Sequence, residues 1–319
     1  MTHPPDDTPV PPPPAAPDER PAPPAPAGAA SADPAAAGAA APPAAAPGPR
    51  PPVVQFDEVS KTYDNGLTAI RHVSFTVEDR IDRGEFIAIL GPSGCGKSTI
   101  LRLIAGLRPQ YPATTGRVLV GGAPVAGPGA DRGMVFQDYT AFDHRTVADN
   151  IAFGLECRGV GAAERREQAM EWIRRVGLSV DRDADKYPHE LSGGMRQRVA
   201  IARSLVLHPR IILMDEPFGA LDPATRYNMQ DLLVELWHDL QATVFFITHS
   251  IEEAVYLGDR VYVMSPSPGT ILKQVPVPPP DRPAKDMQRD AAFMEIVYGL
   301  RNALDNLEVA AAQARGEGR

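Results

Sequence analysis

The chain has 319 residues, a formal net charge of −8 and two cysteines, Cys95 and Cys157. No lysine or arginine cluster stands out, which argues against nucleic acid as the main partner. No apolar run approaches the roughly 20 residues that a membrane helix needs, so we expect the chain not to cross a bilayer. Cys95 lies in a glycine-rich loop where a disulfide would block a ligand, which favours a reducing cytoplasm.

The first 52 residues differ in composition from the rest of the chain. They are almost wholly Pro, Ala, Gly and Asp, and they contain 19 of the 35 prolines. Such a segment has too little bulky apolar surface to offset the entropy of ordering it. It has neither the basic start nor the apolar stretch of a signal peptide. We predict a disordered or polyproline-like arm over residues 1–52, either a solvated tail or a segment that binds a partner.

From Val53 onward the pattern is typical of a folded domain. Two strand-like stretches, 53–63 and 71–77, flank Asp64-Asn65-Gly66, a strong hairpin-turn sequence, so we predict an antiparallel sheet. A short apolar strand at Glu85–Leu90 then runs into a glycine-rich loop and a helix. In that helix the apolar residues recur at the spacing of one helix face.

The middle and the C-terminal part predict helices around buried parallel strands. Residues 142–188 are polar with one apolar stripe, which indicates a helical subdomain. Ile211–Asp215 and Thr243–Thr248 are nearly continuous apolar runs, as in parallel strands buried on both faces. The alternation of strands and helices indicates an α/β layered sheet. A final helix spans Phe293–Leu304; we expect it to pack on its own domain rather than on a membrane, because its polar face is mixed in charge.

Gly91 to Ser98 reads GPSGCGKS, which has the spacing of a phosphate-binding P-loop. The glycines let backbone N–H groups approach a phosphate, and the following helix adds partial positive charge. We expect Lys97 to reach the β- and γ-phosphates and Ser98 to supply a hydroxyl to Mg²⁺. A chance glycine-rich turn is the alternative, but strand, loop and helix follow in the required order. The predicted phosphate-binding residues are Gly91, Pro92, Ser93, Gly94, Cys95, Gly96, Lys97, Ser98 and Thr99.

Polar side chains follow three other apolar stretches. Asp215 ends a buried strand, where a carboxylate is costly unless a cation meets it, so we expect it to hold Mg²⁺ through water. The next residue, Glu216, can polarise the attacking water as a general base. His249 ends a strand expected at the same sheet edge, where an imidazole can donate to the γ-phosphate. Gln137 ends another apolar stretch, and its amide can bind Mg²⁺ or the water.

The sequence LSGGMRQR begins at Leu191. Ser192 is a predicted N-cap, and the N–H groups of Gly193 and Gly194 at this helix start form a second anion site. Alone, the motif could be an ordinary helix cap, just as Asp215 and Glu216 alone could be a strand end meeting solvent. The P-loop upstream favours the functional interpretation in both cases.

In chain order, GPSGCGKST, FQ, LSGGMRQR, IILMDEPFGALD and ITH resemble the motifs of ATP-binding subunits of ABC transporters. The resemblance covers about Val53 to Met264. It implies an α/β P-loop NTPase fold with a RecA-like core, an antiparallel β subdomain and a helical subdomain. We therefore predict an ATPase domain over 53–280, with its helical subdomain at about 138–190, and a C-terminal helical tail over 281–319.

The resemblance also implies roles for individual residues. Tyr63 resembles the aromatic residue that stacks on adenine, and Gln137 resembles the Q-loop glutamine. Glu216 resembles the catalytic carboxylate, Asp222 the D-loop aspartate and His249 the switch histidine. The expected catalytic groups are thus Glu216, His249 and Gln137, and the expected Mg²⁺ ligands are Ser98, Gln137 and Asp215.

Family resemblance further implies that the signature residues Ser192, Gly193 and Gly194 close over the ATP held by a second copy. Two copies would sit under two membrane permease subunits at the cytoplasmic face of the inner membrane, and a solute-binding protein would deliver cargo outside. A coupling helix of each permease would dock near Gln137. Three segments, RTVADNIAFGLE, MQDLLVELW and HSIEEAVYLGDRVYVMSPSPGTI, resemble the importer branch that serves nitrate, sulfonate, taurine and related small solutes. A soluble ABC-type ATPase without a membrane partner is the main alternative; a regulator that has lost turnover is disfavoured by Glu216 and His249.

Overall fold

The structure, a computed structural model, describes residues 50–80, 83–138 and 141–314. The predicted arm lies almost wholly outside these ranges, so its conformation stays a prediction. Among the helices in these ranges, none combines the length and the apolar character needed to span a bilayer.

Strands and helices alternate through the described ranges. The strands are β1 (Val54–Thr62), β2 (Thr68–Val77), β3 (Phe86–Leu90), β4 (Thr115–Val120), β5 (Ala123–Pro124), β6 (Arg132–Val135), β7 (Ile211–Asp215), β8 (Thr243–Ile247), β9 (Arg260–Met264) and β10 (Ile271–Pro276). The helices are α1 (Lys97–Ala105), α2 (Val147–Cys157), α3 (Ala162–Arg175), α4 (Val180–Asp183), α5 (Gly193–Leu205), α6 (Pro223–Leu240), α7 (Ile251–Leu257), α8 (Ala284–Met287) and α9 (Ala291–Ala314), with a 3₁₀ turn at Pro188–Glu190.

These strands form two sheets. One is antiparallel with the order β2-β1-β4-β5, and the predicted hairpin joins β1 to β2. At its turn Gly66 has φ 81°, and the Tyr63 N–H donates to the Leu67 carbonyl over 2.9 Å. The other sheet has the order β10-β9-β3-β8-β7-β6, in which all neighbours pair in parallel except β10 with β9. The predicted parallel core and antiparallel opening sheet are both present.

The central strands β3, β7 and β8 of the six-stranded sheet are buried on both faces, which explains their nearly continuous apolar sequences. Residues that alternate along β3 and β8 pack in two separate clusters. Phe86 and Phe246 pack with the helical part of the chain, while Ile87 and Phe245 pack with α1 and the antiparallel sheet. The central strands therefore hold the two layers of the domain together.

The helical stretch between β6 and β7 contains α2 to α5. Its predicted apolar stripe is buried at Ala169, Ile173 and Val176. Near the C-terminus, α9 packs against α7 and buries Phe293 and Val297. The apolar residues of the first part of α9 are thus covered by the protein itself, as expected for a helix that packs on its own domain.

We expect Phe246→Ala to lower the free energy of unfolding by about 3–5 kcal/mol, since it removes a buried aromatic ring from the core. The Phe246 ring is fully buried and lies 5.8 Å from the ring of Phe86 and 5.6 Å from that of Phe218, centroid to centroid. Urea unfolding followed by fluorescence measures the change. The matched control is Tyr298→Ala on α9, where the side chain is 53% exposed and the expected change is below about 1 kcal/mol. Equal effects of the two substitutions would contradict the packing described.

Candidate functional site

The predicted site residues meet because the parallel strands end at one edge of the six-stranded sheet. Ile89 of β3 and Asp215 of β7 both pair with Ile247 of the intervening β8. Strands β3, β7 and β8 therefore end at the same level, where they are followed by the glycine-rich loop, Glu216 and His249, respectively. Val135 of β6 pairs with Met214, which brings the segment with Gln137 to this edge as well.

The loop between β3 and α1 has the form of a phosphate cradle. Gly94 and Gly96 have φ of 76° and 96°, a region that glycine adopts without strain. A Cβ on Gly96 would lie 2.4 Å from Cγ2 of Ile70, so a side chain does not fit there. Lys97 is 6% exposed, and its Nζ donates to the carbonyls of Gly91 at 2.8 Å and Pro92 at 3.1 Å. The loop's own backbone thus holds the ammonium group in place.

Cys95, also in this loop, is fully buried. Burial raises the pKa of its thiol, and the nearby Lys97 only partly opposes this effect. The thiol therefore stays protonated, and we assign it a packing role.

A hydrogen bond joins the start of α1 to the end of β7. Ser98 Oγ donates to Asp215 Oδ1 over 2.8 Å, and the Arg102 guanidinium lies 3.7 Å from Asp215 Oδ2. Burial raises the pKa of Asp215, while Ser98 and Arg102 act in the opposite direction. The arrangement offers a hydroxyl and a carboxylate oxygen side by side, which are ligand types that Mg²⁺ prefers.

Glu216 follows Asp215 in an unusual backbone conformation, with φ 46°. Its N–H donates to the carbonyl of Ile247 over 3.1 Å, which keeps it in line with the sheet edge. Its Oε2 lies 3.4 Å from Nδ1 of His249, whose side chain is 61% exposed. The carboxylate and the imidazole are therefore adjacent and reachable from solvent.

A cavity of about 310 Å³ opens beside the phosphate cradle. Tyr63 forms part of its wall; the Tyr63 hydroxyl lies 3.2 Å from Thr99 Oγ1 and accepts a hydrogen bond from Gln110 Nε2 over 3.2 Å. These bonds fix the ring next to the loop. The residues lining the cavity are Tyr63, Leu67, Ala69, Ser93, Gly94, Gly96, Lys97, Ser98, Thr99 and Glu216.

Sequence reasoning missed several of the residues at this site. Leu67 and Ala69 line the cavity because the hairpin between β1 and β2 lies beside the glycine-rich loop. Arg102 lies one helical turn after Ser98, so the i, i+4 spacing could have indicated it. Gln110 had no local signal, since only the tertiary fold brings it to Tyr63.

The signature residues and Asp222 lie apart from this cavity. Ser192 caps α5 by accepting a hydrogen bond from Met195 N over 3.3 Å, as predicted. A Cβ on Gly194 would lie 2.9 Å from Cγ2 of Thr225, so glycine lets α5 approach the start of α6. Asp222 caps α6, and its hydrogen bonds to Thr225 and Ala224 lower the pKa of its carboxyl. In the part of the chain that the structure describes, neither Asp222 nor Ser192–Gly194 lines the cavity.

Gln137 is exposed at the sheet edge, in the loop that follows β6. A Cβ on Gly219 would lie 3.9 Å from its Nε2, so the amide lies close to the segment that follows Glu216. It does not line the cavity as Glu216 does. Of the three expected Mg²⁺ ligands, Ser98 and Asp215 are joined directly by a hydrogen bond, and Gln137 is not part of that bond.

Comparison with known proteins identifies the family. The ABC transporter family model matches residues 71–219. The nitrate import ATP-binding protein NrtD of Synechocystis sp. is 52% identical over 211 residues, which is 66% of this chain and 76% of that protein. This chain belongs to the ATP-binding proteins of the ABC transporter family. The taurine import ATP-binding protein TauB of Rhizobium johnstonii is similar to the same extent, with 51% identity over 66% of this chain and 77% of that protein.

The fold comparison agrees. The ATP-binding cassette MJ0796, solved as a dimer in a post-hydrolysis state with ADP and Pi, superposes with a TM-score of 0.60 and 33% identity. The match covers 70% of this chain and 99% of that one. The predicted α/β P-loop fold and the family resemblance are confirmed, and the chain is an ATPase that binds ATP.

We expect Asp215→Asn to raise the unfolding temperature of this ABC ATPase at pH 7.5, in the absence of nucleotide and Mg²⁺. Burial raises the pKa of Asp215 above its unfolded value, so the protonated carboxyl favours the folded state and the ionised one disfavours it. This contribution to stability is complete below the unfolded pKa and is lost as the pH rises through the folded pKa. An amide cannot ionise, so it avoids the loss.

Calorimetric scans between pH 7.5 and 4.5 test this expectation. Each kcal/mol of stability that Asp215→Asn regains should raise its unfolding temperature above that of the wild type by about 2–4 °C. This difference in unfolding temperature should narrow as the pH approaches the ordinary carboxyl range near 4. Asp286→Asn, an exposed carboxylate on α8, is the control and should show no such trend. A variant that is less stable than the wild type at every pH would contradict the assigned effect of burial.

Proposed function

We propose that this ABC ATPase powers the import of a small solute of the nitrate, sulfonate or taurine type through membrane permease subunits. The proposal draws its support from relatives that are about half identical to this chain and are named as nitrate and taurine import ATP-binding proteins. The chain is the ATPase of an importer. We assign the solute class from this similarity.

One observation carries the mechanism: the phosphate cradle and the signature helix start lie apart in one chain. The cradle, Glu216 and His249 share one sheet edge, whereas Ser192–Gly194 lie outside the cavity. A helix start with free N–H groups is an anion site. We infer that the signature of each copy binds the γ-phosphate held by the other, so that two ATP molecules lie between two copies. The dimeric state of the MJ0796 cassette supports this arrangement.

Within that sandwich, catalysis is mainly positioning and charge stabilisation. Lys97 and the loop N–H groups hold the phosphates, and Tyr63 stacks on the adenine. Glu216 accepts a proton from the attacking water, and His249 donates a hydrogen bond to the γ-phosphate. Gln137 contacts the water or the metal and connects the site with the permease side.

The site suits a magnesium ion. Ser98 Oγ and Asp215 Oδ1 are 2.8 Å apart, and an oxygen pair of this kind commonly holds Mg²⁺ together with phosphate oxygens. When bound, Mg²⁺ neutralises charge on the phosphates. Asp215 would hold it through water, with Gln137 as the third ligand.

The proposal extends to the organisation of the chain and its partners. Residues 53–280 would form the ATPase domain, with the helical subdomain at about 138–190, residues 281–319 the C-terminal helical tail and residues 1–52 the arm. The protein would act peripherally at the cytoplasmic face of the inner membrane, with two permease subunits and an extracytoplasmic solute-binding protein. Co-purification with a membrane protein tests the proposed permease partners.

We expect Glu216→Gln to reduce ATP turnover by at least about 100-fold and to accumulate the closed dimer. The amide cannot take a proton from water, so ATP persists between the two copies. Phosphate release measures the turnover, and light scattering with and without ATP and Mg²⁺ measures the mass. Glu235→Gln, an exposed carboxylate on α6, is the control and should retain turnover and remain monomeric.

A second substitution tests the signature. Adding Ser192→Arg to Glu216→Gln should abolish the ATP-dependent dimer. The bulky arginine side chain would fill the signature site that is proposed to bind the γ-phosphate of the ATP held by the other copy. The sandwich arrangement would be contradicted if Glu216→Gln stayed monomeric in saturating ATP, both alone and in the presence of permease-containing membranes.

We expect cells that lack this chain to lose high-affinity uptake of one radiolabelled solute among nitrate, taurine and alkanesulfonates. Wild-type chain should restore the uptake, and Glu216→Gln should not, because binding without hydrolysis cannot drive the permease. Restored uptake with Glu216→Gln would argue against the proposed coupling. Unchanged uptake of all three solutes in the deleted cells would exclude the proposed solute class but not the ATPase.

A further inference from the structure

A buried carboxylate lies behind the switch histidine, at a position that the catalytic roles above do not use. Glu253 is in the first turn of α7, four residues after His249, and only 5% of it is exposed. Burial is the main effect that raises the pKa of Glu253, and hydrogen bonding to Thr248 and the charge of Arg226 oppose it. A charged group in such a place is costly unless its partners hold it. The two oxygens of Glu253 have different partners, and these partners lead to two different loops.

One oxygen of Glu253 holds the backbone that carries His249. Thr248 Oγ1 donates to Glu253 Oε2 over 2.5 Å, and the same hydroxyl accepts a hydrogen bond from Ser250 N over 3.0 Å. Thr248 and Ser250 are the chain neighbours of His249 on either side. Ser250 Oγ in turn accepts from Glu253 N over 3.2 Å. The carboxylate therefore fixes the main chain on both sides of the imidazole without touching the imidazole itself.

The other oxygen is connected to the segment that carries Asp222. Arg226 Nε lies 3.6 Å from Glu253 Oε1, and the same guanidinium donates through an NH₂ group to the carbonyl of Leu221 over 3.1 Å. Leu221 directly precedes Asp222, the N-cap of α6. Gln230, fully buried on α6, also donates to Glu253 Oε1, over 3.4 Å. Glu253 thus joins the start of α6 to the end of β8.

We propose that Glu253 is a positioning residue for ATP hydrolysis that couples the segment before α6, with Asp222, to the switch residue His249. A carboxylate is rigid, so a displacement of the guanidinium on one oxygen moves the hydroxyl on the other. The inference rests on the proposed role of His249 and on the proposed sandwich of two copies. Within that sandwich, the coupling brings His249 to its catalytic position only when the segment that carries Asp222 is in place.

Replacing Glu253 with glutamine retains the shape but breaks this double connection. Thr248 and Gln230 donate to different oxygens of the carboxylate, and the charge of Arg226 faces the oxygen that Gln230 contacts. A neutral amide has one oxygen and one NH₂ group, so it loses the ion pair with Arg226 in either orientation, and the connection toward Leu221 weakens. We expect kcat for ATP to fall about tenfold with KM changed less than about twofold, because the nucleotide cavity is unaltered.

Two further substitutions test each end of the connection. Arg226→Met removes the contact with Leu221, although Arg226 touches neither the nucleotide cavity nor His249; we expect kcat to fall about fivefold or more. The double variant with Glu253→Gln should be no slower than the slower single variant, because both remove the same coupling. At the other end, Thr248→Val should lower kcat, whereas Thr248→Ser, which keeps the hydroxyl, should restore most of it.

The matched control is Glu295→Gln, the same change at an exposed position of α9. Its kcat should stay within about twofold of the wild type, and thermal unfolding of every variant separates loss of fold from loss of rate. If Glu253→Gln does not fold, Arg226→Met and the Thr248 pair carry the test.

The proposal is overturned if Glu253→Gln or Arg226→Met retains wild-type kcat, or if their effects multiply in the double variant. It is also overturned if the loss is in KM instead of kcat. Glu216→Gln and His249→Ala are measured in the same assay. Full activity of those two variants would contradict the catalytic roles proposed above, whereas full activity of the Glu253 and Arg226 variants alone would contradict only the coupling.

Discussion

The hydrogen bond between Ser98 and Asp215 requires two strands that are not neighbours in the sheet to end at the same level. β8 lies between β3 and β7, and it pairs in parallel with both. A shift of the β7–β8 pairing by one residue would turn Asp215 to the other face of the sheet, and a shift of the β3–β8 pairing would move the loop that carries Ser98 out of line with it. Because β3, β7 and β8 are buried on both faces, the core resists such a shift. The chemistry at the sheet edge thus depends on packing inside the sheet.

Burial also shapes the electrostatics of this edge. Asp215 and Glu253 are both buried carboxylates, and burial raises the pKa of each. Asp215 has a hydroxyl and a guanidinium as neighbours, and Glu253 has a hydroxyl, an amide and a guanidinium. Buried carboxylates are destabilising unless partners hold them, so a function in positioning gives a physical reason for their presence here. The layered fold supplies both the low-dielectric surroundings and the partners.

Local patterns predicted the parts of this fold that depend on neighbours in sequence. The P-loop, the hairpin turn at Gly66, the Ser192 cap and the buried strands at Ile211 and Thr243 each have a local signal in composition or spacing, and the structure shows all of them. What local patterns missed depends on tertiary contacts between distant segments. Gln110 meets Tyr63 only after the loop beyond α1 returns to the antiparallel sheet, and Arg226 meets Glu253 only through the packing of α6 on α7.

Glu216 is held at φ 46°, a backbone conformation that glycine and asparagine adopt more readily than glutamate. Strain of this kind costs about 1 kcal/mol or more, and it persists because Ile247 and the sheet edge impose it. Replacing Glu216 with glycine would relieve the strain and remove the carboxylate at once. Engineering this chain purely for thermostability would therefore favour loss of the residue that we propose as the general base. Stability and activity would then oppose each other at a single backbone torsion.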